Sequence, residues 1–225
     1  MVYLNKYIKP GFFEVYSGPM FSGKTEGLIK RIAMIKDRIP NNDVLIIKPE
    51  TDTRDEGLKS RTFNVEYSAI FVPGNKPRKI LDIVANEKSS NPEITVVAID
   101  EAQFFIKELV YVVSLLLEKD YNVLASGLPL DFKAEPFGAM PDLLALADKV
   151  YNFTAVCDHH GCGSDATRTQ RLVNGDPVEY DSLVELVEGT QENVTYEARC
   201  LNHFIVPGRQ KEILSKLNNI KKEKN

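Results

Sequence analysis

Residues 18–25 read GPMFSGKT, which fits the pattern G-x-x-x-x-G-K-[ST]. In such a loop successive backbone N–H groups turn inward and cradle phosphate oxygens, and the helix that follows adds its positive N-terminal end. Gly18 and Gly23 allow close approach, and Pro19, Met20, Phe21 and Ser22 span the distance between them. Lys24 brings a compact charge to the β- and γ-phosphates, and Thr25 offers a hydroxyl to Mg²⁺. A second group lies in VVAIDE, residues 96–101, where four apolar residues are followed by two carboxylates. A buried parallel strand delivers its last residues to the carboxyl edge of a sheet, where ligands of α/β folds bind. Asp100 is therefore the candidate for the Mg²⁺ shell. Glu101, one residue on, is the candidate general base that takes the proton of an acceptor hydroxyl. A third group is the polar stretch PETDTRDEGLKSR, with Asp52, Arg54 and Arg61. The Arg54 guanidinium matches phosphate geometry and would steady a transferring group; an ordinary solvated loop fits the same residues equally well.

All three cysteines and all three histidines of the chain fall between Cys157 and His203. Cys200-x-x-His203 is one ligand pair, and Cys157–Asp–His–His–Gly–Cys162–Gly contains another. Two such pairs separated by a hairpin-sized insert read as a structural Zn²⁺ site with four protein ligands. The first pair is Cys157 with either Cys162 or His160. Cys162 is preferred because thiolate is the stronger zinc ligand and a glycine, Gly163, follows it. Four protein ligands leave no open position, so the metal expected here is structural rather than catalytic.

These groups need a frame to position them. Strand-like runs at Phe12–Tyr16, Val44–Ile47, Ile94–Ile99, Val123–Ala125 and Val150–Val156 alternate with helical apolar repeats. The helical segments are Thr25–Lys36, the stretch after Pro77, Phe105–Glu118 and the run around Leu143–Ala147. Alternation of this kind predicts an α/β fold with a parallel sheet flanked by helices. Residues 49–63 read as a loop; near Cys157 the texture changes to short strands and frequent turns, which puts a boundary near Thr154. From Arg209 the segment RQKEILSKLNNIKKEKN carries six Lys/Arg against two Glu and reads as a frayed or disordered tail.

Composition narrows the function classes. The chain has 225 residues, 43% hydrophobic and 27% charged, which is globular rather than disordered, collagenous or rod-like. A net charge of −4 lacks the basic stripe of a dedicated nucleic-acid binder, so no nucleic-acid partner is expected. No window approaches ~18 uninterrupted apolar residues, so no membrane span is expected. The opening MVYLNKYIKPGFFEV lacks a signal peptide's apolar core, and three cysteines suit a reducing, cytoplasmic setting.

GPMFSGKT, the DTR triplet Asp52–Arg54, IDEAQFF (Ile99–Phe105), FTAVC (Phe153–Cys157), ATRTQRL (Ala166–Leu172) and YEARC (Tyr196–Cys200) together resemble the cytosolic-type (type II) thymidine kinases. The resemblance covers about Gly11 to Pro207. It implies a RecA-like P-loop sheet with a small C-terminal zinc-binding domain whose lasso loop, roughly Val184 to Tyr196, closes over a nucleoside. The organisation it implies is a kinase domain at 1–153, a zinc and lasso domain at 154–208 and a basic tail at 209–225. The implied reaction is transfer of the γ-phosphate of ATP to the 5′-hydroxyl of thymidine in nucleotide salvage, with Mg²⁺. A kinase for another deoxynucleoside and a P-loop ATPase switch are the alternatives. The resemblance further implies a homotetramer, inhibition by dTTP and tolerance of deoxyuridine. It assigns the base role to Glu101, and it places Asp52, Asp100, Ala102 and Gln103 with the loop residues among the nucleotide contacts. It implies a thymine pocket of Met20, Leu128, Phe132, Thr169 and Tyr196. Aligning on Ala166 and Thr169 puts Cys162 at the second zinc-ligand position. One departure is Pro129, where many bacterial-type members carry an aspartate, so a carboxylate and an N–H are missing there.

Overall fold

The computed structural model describes residues 10–39, 41–52, 57–60, 65–184 and 193–222. Arg54, Arg61 and most of the lasso, 185–192, lie outside the described residues. Contacts divide the chain into two units. The first holds the chain up to Gly18, then Gly23–Pro129 and Pro136–Phe153. The second holds Pro19–Ser22, Leu130–Glu135 and the chain from Thr154 onward.

In the first unit six strands form one parallel sheet. They are β1 (Phe13–Ser17), β2 (Asp43–Pro49), β5 (Ile70–Val72), β6 (Ile94–Ile99), β7 (Asn122–Gly127) and β8 (Lys149–Asn152). Their order across the sheet is β5-β2-β6-β7-β1-β8. Side chains alternate between the faces with a period of two. Phe13 and Val15, Leu45 and Ile47, Val97 and Ile99, and Val123 and Ala125 face one core, packed by α2 (Lys79–Ser90), α3 (Leu109–Glu118) and α4 (Met140–Leu146). Tyr16, Val44, Ile46, Val96, Ala98 and Leu124 face the other, where α1 (Lys24–Arg38) packs Leu28, Ile29, Ile32 and Ile35. This is the α/β sheet flanked by helices that the alternating pattern predicts.

Three local expectations are corrected. Residues 49–63 are not all loop: β3 (Gly57–Ser60) pairs antiparallel with β4 (Val65–Ser68), and Leu58 is buried under α1's core. The Phe105–Glu118 helix begins only at Leu109, because a 3-10 turn at Ala102–Phe104 precedes it. The run Val150–Val156 is two strands: β8 ends at Asn152, and β9 (Ala155–Val156) belongs to the second unit.

In the second unit β9 pairs antiparallel with β10 (Asp165–Ala166). A three-stranded antiparallel sheet has the order β12 (Asp176–Pro177), β11 (Arg168–Val173), β13 (Val194–Arg199). The expected disordered tail is instead α5, Arg209–Lys222. Its charge density hides a helical repeat of Ile213, Leu214, Leu217 and Ile220, and its basic residues find partners far away in the sequence. Among the described residues no helix is long and apolar enough to cross a membrane.

Candidate active site

β1 feeds the loop Gly18–Gly23, and α1 starts at Lys24. Gly23 adopts φ 82°, a left-handed conformation that turns the chain into the helix, and Gly27 N donates to its carbonyl at 2.9 Å. Phe21 also has a positive φ, 63°, and its side chain is exposed. Lys24 is buried at the first turn of α1.

β6 ends at the same edge of the sheet as β1. Register sets Ile99 level with Ala125 and Ser17 level with Gly127, so Asp100 emerges beside Ser126. The Ser126 hydroxyl donates to Asp100 Oδ1 at 2.6 Å. Burial, and after it the charge of Glu101, pushes the Asp100 carboxyl up to about 6, against the lowering pull of the Ser126 hydroxyl and of Lys48. Lys48, buried at the end of β2, pairs with buried Asp52 at 2.8 Å and donates to the Gly57 carbonyl at 3.1 Å.

Glu101 sits at φ 50°, ψ 43°, a left-handed conformation that a non-glycine residue adopts at a cost. The surroundings enforce it. The Glu101 carbonyl accepts from Phe104 N at 3.1 Å. Gly138 presses on the same turn so closely that a Cβ there would lie 1.9 Å from the Gln103 carbonyl oxygen. The Gln103 amide donates to Glu101 Oε2, and its carbonyl accepts from Leu128 N at 3.0 Å. Gln103 thus ties the carboxylate to the end of β7, and Leu128 enters through its backbone.

In the second unit the remaining expected residues come together from four distant parts of the chain. Met20 N donates to Thr169 Oγ1 at 3.1 Å. Thr169 and Arg171 alternate along β11 and so share a face, where Arg171 stands opposite Tyr196 of β13. The Arg171 guanidinium lies 3.7 Å from the centre of the Phe132 ring, in hydrogen-bonding contact with Tyr196, and Nη1 donates to the Val184 carbonyl at 3.2 Å. Arg171 is 1% exposed, and its Nε has no hydrogen-bond partner among the described residues. Burial pulls the guanidinium below its ordinary value, with Tyr196 and Asp131 pulling the other way. Phe132 is carried by a tight turn in which Asp131 Oδ1 accepts from Lys133 N at 2.8 Å and Glu135 N at 2.9 Å.

Cys157, Cys162, Cys200 and His203 place their ligand atoms within 4.8 Å of one another, while His160 is exposed and outside this group. Cys162 Sγ and Cys200 Sγ are 4.0 Å apart, and Cys200 Sγ and His203 Nδ1 are 3.3 Å apart. Sulfurs on a tetrahedral zinc with ~2.3 Å bonds stand about 3.8 Å from one another, so three thiols and an imidazole at this spacing fit such an ion. Burial pushes the Cys157 thiol up, but backbone N–H groups of Cys200 and His159, together with His203, outweigh it and bring it down to about 6. The His159 ring stacks on His203 at 3.9 Å.

The thymidine kinase family model matches residues 11–204. The chain belongs to the thymidine kinase family. A thymidine kinase of Coprothermobacter proteolyticus is 44% identical over 199 residues, covering 88% of this chain and 93% of that relative. One from Mycoplasma genitalium is 45% identical over 218 residues, covering 96% and 92%. Among solved structures, domain III of the Thermotoga maritima replication initiation protein DnaA aligns over 64% of this chain and 56% of its own, at 14% identity and a TM-score of 0.37. As a member of the thymidine kinase family the chain is an ATP-dependent phosphotransferase acting on thymidine in salvage.

For a thymidine kinase the structure adds residues that sequence reasoning did not single out. Ser126 is one: its hydroxyl holds the Asp100 carboxylate, and nothing marks it in a run of small and apolar residues. Gln103, which the resemblance places among the nucleotide contacts, bonds Glu101 and Leu128 N. Asp52 pairs with Lys48, a lysine that in the sequence alone looks like an edge charge on an apolar strand. Arg171 lies inside ATRTQRL two residues after Thr169, and that spacing on a strand is the sequence signal that puts it on the same face.

Proposed function

We propose that the chain transfers the γ-phosphate of ATP to thymidine through Glu101, which accepts the proton of the 5′-hydroxyl as the oxygen attacks phosphorus. Lys24 and the amides of Gly18–Gly23 bind the phosphate chain. Thr25 and Asp100 would hold Mg²⁺, which would offset negative charge on the triphosphate. Arg54 steadies the transferred group. Phe132, Thr169, Tyr196 and Met20, with Leu128, hold the flat base and its methyl group. Cys157, Cys162, Cys200 and His203 hold a structural Zn²⁺ that has no chemical role and anchors β9, β10 and the end of β13. The enzyme works in the cytoplasm as a homotetramer and is inhibited by dTTP.

The observation that supports this reading best is the left-handed turn at Glu101. It is a strained conformation kept at a sheet edge, with the carboxylate tied to Gln103 and a buried, elevated Asp100 beside it. A screen of four deoxynucleosides with Mg-ATP tests it. ADP and thymidine 5′-phosphate should form together with thymidine and not with the other three; deoxyuridine, added as a fifth substrate, should give ADP and deoxyuridine 5′-phosphate more weakly. ADP production independent of any nucleoside would point to an ATPase switch.

A further inference from the structure

The basic C-terminal helix lies outside the span matched to the family, yet its cations act on the turn that carries Phe132. Arg209 and Lys216 are seven residues apart, two helical turns, and so share one face of α5. Arg209 Nε donates to the Lys133 carbonyl at 2.8 Å. Lys216 Nζ donates to Glu135 Oε1 at 2.6 Å and to the Tyr180 hydroxyl at 2.7 Å, and that hydroxyl donates to the same Glu135 oxygen. Lys133 Nζ lies over the rings of both Phe132, at 5.5 Å, and Tyr180, at 5.2 Å.

The turn is therefore gripped from two sides. Asp131 closes it internally through the Lys133 and Glu135 amides. α5 holds its outer end, one cation on the backbone and one on Glu135. The helix is itself fixed at its start, since Gln170, between Thr169 and Arg171, exchanges two hydrogen bonds with Ile205, at 2.8 and 2.9 Å. Tyr180 N bonds the Pro207 carbonyl at 3.0 Å.

We propose that α5 is a strap that sets nucleoside affinity, with Arg209 and Lys216 as positioning residues that hold Phe132 against the base. This rests on the reading of Phe132 as a nucleoside contact. The pair Lys216–Glu135 is half exposed, so salt weakens it and its contribution is modest.

The test compares full-length R209M/K216M, K216M, K216R and F132A with the unchanged enzyme. The double variant should raise KM for thymidine about tenfold and Lys216→Met about threefold, with KM for ATP and kcat held within twofold. Lys216→Arg should restore the thymidine KM. Raising ionic strength should raise the thymidine KM of the unchanged enzyme and leave that of Lys216→Met flat. If the double variant kept the wild-type thymidine KM while Phe132→Ala raised it, the strap is wrong and the nucleoside reading stands. If Phe132→Ala also left that KM unchanged, the nucleoside reading fails first. Loss of both substrates in step with a lower Tm would mean that α5 only stabilises the fold, and would overturn the strap.

Discussion

The sheet edge of the first unit and the small sheet of the second solve the problem of holding functional side chains in different ways. At the sheet edge the chemistry comes in contiguous words, GKT at the start of α1 and IDE at the end of β6, and each adjoins a strand buried between two apolar layers. In the second unit the buried cluster is only Cys157, Ala166, Ala198 and Cys200, with Ala155 and Cys162 against it. In this unit the residues proposed to hold the base come singly, Met20, Phe132, Thr169 and Tyr196 with Arg171 between them, joined by one hydrogen bond here and one stacked cation there. A region with a large apolar core can keep strained and buried ionisable groups such as Glu101 and Asp100. A region without one has polar contacts and the proposed zinc to hold it, and should fail when either is removed.

Metal removal should therefore separate the two regions most sharply. Purified protein should carry about one zinc per chain. Chelation or Cys157→Ser should abolish thymidine phosphorylation while amides of β6 and β7 keep their slow hydrogen exchange and those of 155–173 lose it. Equal loss of protection in both sheets, or none in either, would erase the distinction.

The next largest effect concerns Asp100. Its folded carboxyl titrates near 6, above the ordinary carboxylate value, so the folded state holds the proton more tightly than the unfolded one. The cost of charging it is absent below the unfolded value and fully present above the folded one. Stability of metal-free protein should fall as pH rises from about 4 to about 6, by roughly 3 kcal/mol. Asp100→Asn should remove this slope and abolish activity, and urea denaturation at pH 4 and pH 7 checks it.

The smallest effect belongs to Arg171. Arg171→Met keeps apolar contact with Phe132 but loses the bond to Val184. It should raise KM for thymidine about tenfold, some 1.4 kcal/mol, and leave KM for ATP unchanged. Steady-state kinetics with each substrate varied in turn measures this.

The same contrast explains what was legible in the sequence. Ile94–Ile99 is strand β6 to the residue, because six consecutive apolar and β-branched residues admit little else. The loop motif and the DE pair need only local spacing, so their chemistry can be read without a fold. Arg171 needs the β11–β13 register and the Leu130–Glu135 turn, and both are tertiary facts. α5 shows the opposite failure. Local charge suggested disorder, whereas Lys216 and Arg209 are settled by Glu135 and the Lys133 carbonyl, some 80 residues away in the chain. Ligand chemistry and the family resemblance both favour Cys162 over His160, and Cys162 is the one that lies with Cys157, Cys200 and His203.

The central claim is that Glu101 accepts the hydroxyl proton, and Glu101→Gln tests it most directly because the amide keeps the shape and loses only the basicity. Turnover with saturating thymidine and Mg-ATP should fall by roughly 10²–10⁴, with Tm and the affinities for both substrates within twofold of the unchanged enzyme. Turnover near the original value in that variant would contradict the account.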